Sequence, residues 1–320
     1  MKRNEAFIIL LLALLVIAVA CNSLSTPVQV STPTSKPATP APLVLTDALG
    51  HTITLQKPAQ RVVSLAPSNT EILFAIGAET QVVGRDQFSN YPEEAKSLPD
   101  IGGSGFGDVN TEAVVSLNPD LVLAAGLTPP ELVSAMTDLG LTVFVMPNPT
   151  DLTGMYINLL TASKLTGREA EVEILIESLK TRVEAVESKV DGAEERPLVF
   201  YELDSTDPNA PWTSGPGTFM DSLITMAGGA NVGSVLKDAW AQISLEELVS
   251  QDPDIILLGD YLYGGVTPEA VAARPGWSAL SAVKDQRVYT FDDDLVSRPG
   301  PRLVDGLEAL AKLLHPELFE

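Results

Sequence analysis

Apolar and polar residues alternate from Leu43 to Leu55 ("LVLTDALGHTITL"), which predicts a β-hairpin with its turn near Gly50. "RVVSLAPSNTEILFAIGA" then reads as a short strand, Val62 to Leu65, a turn at Pro67, and a helix capped by Ser68 or Asn69 with Glu71 in its first turn. "QVVGRD" is a second short strand. "VNTEAVVSLNPDLVLAAG" predicts a helix opened by Asn110 or Thr111 and stopped at Asn118-Pro119, then a buried strand, Leu121 to Ala124. "PPELVSAMTDLGLTVFVMP" repeats helix, glycine stop at Gly140 and strand, Thr142 to Met146. Short apolar strands alternating with helices imply parallel sheets covered on both faces.

Between Asp151 and Val190 the spacing turns helical, with apolar residues at Val172, Leu175, Ile176, Leu179, Val183 and Val186, predicting one long helix after a shorter one. The strand–helix pattern then restarts with "RPLVFYELD", "GTFMDSLITMAGGANVG", "ISLEELVSQDPDIILLGD" and "VYTFDDDLV", and closes on a helix in "RPGPRLVDGLEALAKLLHPEL". "VNTEAVVSLNPDLVL" has an echo in "ISLEELVSQDPDIIL": Glu112 meets Glu246, Ser116 meets Ser250, Pro119 meets Pro253 and Asp120 meets Asp254, at a constant spacing of 134 residues (246 less 112). The fold class expected is therefore α/β: two Rossmann-like lobes with parallel sheets, joined by one long helix, with a ligand cleft between the lobes. The single linking helix predicts a small closure rather than a wide hinge.

The N-terminus reads differently. Lys2 and Arg3 precede an uninterrupted apolar run, Ala6 to Ala20. That run is shorter than the about 20 residues a bilayer-spanning helix needs and suits a signal peptide. The only cysteine, Cys21, follows "AVA". The site resembles a bacterial lipobox, with Ala18 where leucine is preferred, and implies lipidation of Cys21; the plain alternatives are an ordinary cleaved signal peptide or an uncleaved anchor. Asn22 to Pro42 is dominated by Ser, Thr and Pro and reads as a semi-extended tether. The expected organisation is a signal peptide over 1–20, a lipidated cysteine and tether over 21–42, a first lobe over 43–150, linking helices over 151–193 and a second lobe over 194–320. The formal charge of −22 argues against nucleic-acid binding and against adsorption of the folded body to anionic lipid, so membrane contact is expected through the lipid anchor only. One cysteine allows no intrachain disulfide.

From Arg61 onward the chain resembles the helical-linker class of substrate-binding proteins of bacterial ABC importers, which serve vitamin B12, ferric siderophores and haem. The ordered set "RVVSLAPSNTEILFAIG", "VVGRDQFSNYPEEAKSLPDIGG", "VNTEAVVSLNPDLVLA", "PWTSGPGTF", "ISLEELVSQDPDIILL" and "RPGPRLVDGLEALAKLLHP" carries the resemblance. It implies an extracytoplasmic, lipid-anchored monomer, in a periplasm or at a cell surface. Such a protein captures a ferric siderophore or a corrinoid and delivers it to an ABC permease dimer with its ATPase subunits. A haem-binding protein of the same class, or a ligand-sensing surface lipoprotein without a transporter, is the alternative. It further implies that Glu112 and Glu246 dock onto arginines of the permease. Their bland reading is that they favour the dipole of a first helical turn, a role Glu247 could equally fill.

Residues matching the vitamin B12 binders are Phe106 and Trp240, which the repeat places facing each other across the cleft, together with Trp212 and Asp294. Against a corrin site, Ala125 stands where a further aromatic would follow the strand Leu121 to Ala124. Trp277 is assigned to the core or a loop. An anionic siderophore would want arginines, and Arg85 and Arg298 are the candidates; Arg298 and Arg302 could equally pair with acids among Asp292 to Asp294. Tyr261 and Tyr263 follow the strand Ile255 to Leu258 and are placed near the cleft mouth, where a phenol could ligate haem iron. His51 and His315 lie away from any cleft, so no bare metal site and no cofactor of the protein's own are expected. Catalysis is not expected either. "SGPGTF" lacks the lysine of a P-loop, and Ser64 and Ser68 have no nucleophile elbow or histidine base.

Overall fold

The computed structural model describes residues 41–104 and 107–319. The signal segment, Cys21, the tether up to residue 40 and Phe106 lie outside the described residues. The body opens with the antiparallel hairpin of β1 (Leu43–Thr46) and β2 (Thr52–Leu55), Leu43 opposite Leu55, with Gly50 at φ 83° in the turn. There follow β3 (Val62–Ser64), α1 (Pro67–Ala75), β4 (Val82–Arg85), β5 (Gly102–Ser104), β6 (Gly107–Val109), α2 (Thr111–Ser116), β7 (Leu121–Ala125), α3 (Pro130–Asp138) and β8 (Val143–Met146). Helices α4 (Leu152–Thr166) and α5 (Glu169–Val190) lead onward. Next come β9 (Leu198–Glu202), β10 (Trp212–Ser214), α6 (Phe219–Met226), β11 (Ala230–Asn231), β12 (Trp240–Gln242), α7 (Leu245–Gln251) and β13 (Ile255–Leu258). The chain ends with α8 (Tyr261–Gly264), α9 (Pro268–Ala272), α10 (Ser281–Lys284), β14 (Val288–Thr290) and α11 (Leu303–Leu314).

Two four-stranded sheets result, β4-β3-β7-β8 and β11-β9-β13-β14. Every pairing in both is parallel. Ranked along the chain, both have the same strand order: second, first, third, fourth. Small antiparallel ribbons, β5 with β6 and β10 with β12, interrupt the two sheets and escape the sequence pattern because each strand is only three residues long.

The repeat is visible in fine local chemistry. Asn110 caps α2, its Oδ1 accepting from the Ala113 N–H at 3.0 Å. Ser244, 134 residues on, caps α7 by accepting from the Glu247 N–H at 3.1 Å. Both helices turn off at a residue in the left-handed region, Asn118 at φ 46° and Asp252 at φ 49°. Asp120 then accepts from the backbone N–H groups of Gln60 and Arg61, and Asp254 from that of Leu198, so each repeat clasps the entry of its central strand. The predicted cap of α1 does differ. Its N-cap is Ala66, with Pro67 preset for the first helical position, and Ser68 and Asn69 fall inside the helix. Asn69 donates to the Leu123 carbonyl instead.

The strands sort their side chains by period two. Val62, Val199 and Tyr201 point into a cluster shared by both halves of the molecule, whereas Val63 and Phe200 point to separate outer cores. The shared cluster runs from Leu73 through Leu159 of α4 and Val172, Ile176, Leu179, Val183 and Val186 of α5 to Leu223 and Leu307. The long helix is therefore a spine as well as a link, and its apolar stripe is buried by elements of both lobes. Trp277, 0% exposed, belongs to the outer core of the second lobe.

Because this cluster is continuous, Leu179→Ala should lower stability by about 2–5 kcal/mol. In urea unfolding followed by far-ultraviolet circular dichroism alongside tryptophan fluorescence, which reports the second lobe alone, the variant should lose both lobes in one coincident transition at a lower midpoint. Two separated transitions would show that the lobes do not share a core.

Candidate functional site

Parallel sheets leave ligands a place beyond the carboxyl ends of their strands. A cavity of about 520 Å³ lies there, between the two sheets. Ala66 to Ser68 reach it from the end of β3, Phe88 from beyond β4, Ala125 and Leu127 from the end of β7, and Asn148 from beyond β8. The second lobe contributes Leu203 after β9, Tyr263 after β13, and Asp293, Asp294 and Val296 to Pro299 after β14. Trp240 of β12 and Phe219 and Met220 of α6 complete it. Trp240 packs against Phe219 with ring centroids 5.7 Å apart, while Phe88, Leu127 and Tyr263 are 42%, 54% and 58% exposed. The lining is thus mainly flat or branched apolar surface with a few polar groups at one edge, the usual make-up of a small-molecule site.

Those polar groups belong to a network that joins the lobes. Glu71 of α1 is buried and accepts two hydrogen bonds from Arg302, at 2.9 and 2.6 Å. Arg298 donates to Glu71 at 3.4 Å, to Asn90 Oδ1 at 2.7 Å and to the Tyr263 hydroxyl at 3.0 Å, and pairs with Asp294 at 2.7 Å. Tyr263 in turn donates to Asp294 at 2.9 Å, and the Arg302 guanidinium lies 4.0 Å from the Tyr91 ring centroid. The network adds two guanidiniums to two carboxylates, so its formal charge cancels internally.

Burial pushes the Glu71 carboxyl above its ordinary range even though both arginines pull it down. Desolvation likewise raises Asp86, against hydrogen bonds from Ser89 and the Phe88 N–H, and Asp293, against hydrogen bonds from Tyr201 and Ser297. Glu202, held by Arg274 at 2.6 and 3.0 Å, is raised for the same reason.

Of the sequence candidates, Trp240, Asp294 and Arg298 line the cavity. Arg85 does not: it pairs with Asp100 at 3.1 Å and donates to the Asp86 carbonyl. Trp212 shares a ribbon with Trp240, but sits across from Gln242, 42% exposed and off the cavity. Tyr261 is also off the cavity, whereas Tyr263 lines it, because two positions along a helix point to nearly opposite sides. Phe106 is outside the described residues. Phe88, Phe219 and Leu127 were not singled out by sequence. Phe88 and Leu127 each follow the carboxyl end of a parallel strand within three residues, a signal that could have found them.

Glu112 and Glu246 are exposed in the first turns of α2 and α7, away from the cavity, and neither enters an ion pair among the described residues. Glu247 is more covered and accepts from Gln251 at 2.8 Å. Among the described residues no three His, Cys, Asp or Glu side chains cluster as a metal site would require.

The family described as periplasmic binding protein matches residues 62–295. An ABC transporter substrate-binding lipoprotein of Bacillus subtilis (strain 168) is 34% identical over 284 residues, which cover 87% of each chain. A cobalamin-binding protein of Halobacterium salinarum is 31% identical over 280 residues, covering 86% of this chain and 74% of that one. Among solved structures, the periplasmic heme-binding protein RhuT of Roseiflexus sp. RS-1, in apo form, superposes with a TM-score of 0.73 at 26% identity, over 81% of this chain and 99% of that one.

Four carboxyls raised by desolvation, three of them buried and Asp293 half-buried, make a prediction about acidity. A folded-state pKa above the unfolded one means that the folded protein binds more protons in the window just above the ordinary carboxyl values, so stability falls as pH rises through it. The net charge of −22 acts in the same direction through self-repulsion. Thermal unfolding should therefore occur at a higher temperature near pH 5 than near pH 7.5. A lower temperature near pH 5 would mean that the arginine partners outweigh desolvation.

Proposed function

The chain belongs to the periplasmic binding protein family, and from that premise we propose that it is the substrate-binding component of an ABC importer, capturing a corrinoid outside the cytoplasm. It carries no chemistry of its own; ATP hydrolysis falls to the partner. The proposed anchor is a lipid on Cys21, with the Ser/Thr/Pro segment up to Pro42 as a tether. The family's setting and the lipoprotein relative support that location.

The observation that carries the corrinoid reading is the cavity's electrostatics. The one arginine that lines the cavity among the described residues, Arg298, is already occupied by Glu71 and Asp294, and Arg85 is turned to Asp100. An anionic siderophore would have to break a buried ion pair to reach a guanidinium, at a cost of several kcal/mol. A broad, largely uncharged macrocycle needs only the apolar faces of Trp240, Phe88 and Leu127. The 31% identity to a cobalamin-binding protein points the same way. Delivery is assigned to Glu112 and Glu246, whose matched positions on two matched helices suit a two-fold symmetric permease presenting arginines.

Calorimetric titration of the protein with cyanocobalamin tests the ligand. Binding is expected, and Trp240→Ala should weaken it about thirtyfold, roughly 2 kcal/mol. No heat with cyanocobalamin, and binding of a ferric siderophore that fails in Arg298→Ala or Arg85→Ala, would make the cargo an iron chelate. A haem signal lost in Tyr263→Phe would make it haem.

Transport is tested separately. Glu112→Arg combined with Glu246→Arg should leave ligand affinity unchanged and abolish uptake of radiolabelled ligand by cells. An equal loss of ligand affinity in that variant, or undiminished uptake, would remove the docking role.

A further inference from the structure

The helices that carry Glu112 and Glu246 share more than a carboxylate. Val115 of α2 and Val249 of α7 stand at the same spacing of 134 residues and are 42% and 38% exposed. Each valine follows its glutamate by three positions, so the two side chains are neighbours on one helix face, about 5–6 Å apart at Cβ. The helix is held to the protein by a different residue, Val114 in one copy and Leu248 in the other, both 0% exposed.

Comparing the two copies position by position isolates the shared part. Thr111 is replaced by Leu245, Ala113 by Glu247 and the buried Val114 by Leu248, while Glu112, Val115 and Ser116 are matched by the identical Glu246, Val249 and Ser250. Within these helix positions, all of the identical residues are exposed. Packing alone would produce the reverse, holding the buried position and letting the outer face drift. Nor does the helix itself want valine, whose β-branched side chain is among the poorer helix formers. A lone exposed valine requires no explanation; two at equivalent places, each beside a carboxylate outside any ion pair of the described fold, do.

We infer that Glu112 with Val115, and Glu246 with Val249, are two copies of one contact unit for a two-fold symmetric membrane permease. This rests on the docking reading above and extends it to the chemistry of the partner surface. Each half of the permease presents a cationic side chain to the glutamate and, about one helical turn away, a small apolar socket to the valine. The ion pair orients the encounter and weakens with salt. The valine excludes water from the ion pair's flank and supplies a contribution that salt does not screen.

The test measures binding of the full-length protein to the permease–ATPase complex of the same cell, reconstituted in nanodiscs, at low and at high salt. Val115→Ser combined with Val249→Ser should weaken binding about tenfold or more at both salt concentrations, with thermal unfolding unchanged because both side chains are exposed. Glu112→Arg with Glu246→Arg should abolish the salt-dependent part. Unchanged affinity in the valine variant beside a collapsed affinity in the charge-reversed one would overturn the inference and leave docking by the glutamates intact. Unchanged affinity in both variants would overturn the docking reading and the inference together. Loss in the valine variant only at low salt would also overturn it, since the effect would then be electrostatic.

Discussion

The molecule is organised around a carboxylate that cannot reach water. Glu71 sits on the first helix of one lobe and is held by two guanidiniums from the other, Arg302 and Arg298, more than 220 residues later in the chain. Burying such charges costs several kcal/mol for each ion unless partners are well placed. The pairing is therefore a weak source of net stability, and its effect on the architecture is to tie the two lobes together through three specific side chains. It also sets the chemistry of the cavity edge. Arg298 holds Tyr263 and Asp294 in place, and its charge is spent within the protein before any ligand arrives.

The second constraint is the spine. With α5 buried along one stripe by both lobes, the sheets cannot part without exposing a shared core. Together the spine and the ion network keep the cavity largely preformed, which lowers the ordering cost of capture. The same helix-and-carboxylate device stands on two lobes of identical strand order, which is what the proposed docking onto a two-fold symmetric permease requires.

The division of labour follows strand direction. Carboxyl ends of both parallel sheets converge on the cavity, and the residues that line it come from short segments just past those ends. Glu112 and Glu246, in the exposed first turns of the repeated helices α2 and α7, are not among the residues that line it. The proposed roles in capture and delivery therefore fall on separate sets of residues.

Much of this was written in local patterns. Strand and helix order, the long linking helix, the cap at Asn110 and the repeat that pairs Glu112 with Glu246 follow from periodicity and short-range chemistry, which depend on neighbours a few residues apart. The sequence alone also determined the class of protein, because its ordered motifs span most of the chain. Only the tertiary structure decided which aromatic faces the cavity: Tyr263 over Tyr261, and Trp240 over Trp212, turn on a helical phase and a ribbon register that composition does not encode. It also decided the fate of the arginines. Arg85 and Arg298 look alike as candidates in a string, yet each is paired: Arg85 with Asp100 fifteen residues on, and Arg298 with Asp294 four residues back, as the sequence allowed, and with Glu71 from the opposite lobe. Charge availability is a property of what folding brings within 4 Å, and neither Asp100 nor Glu71 is a near neighbour of its arginine in the chain.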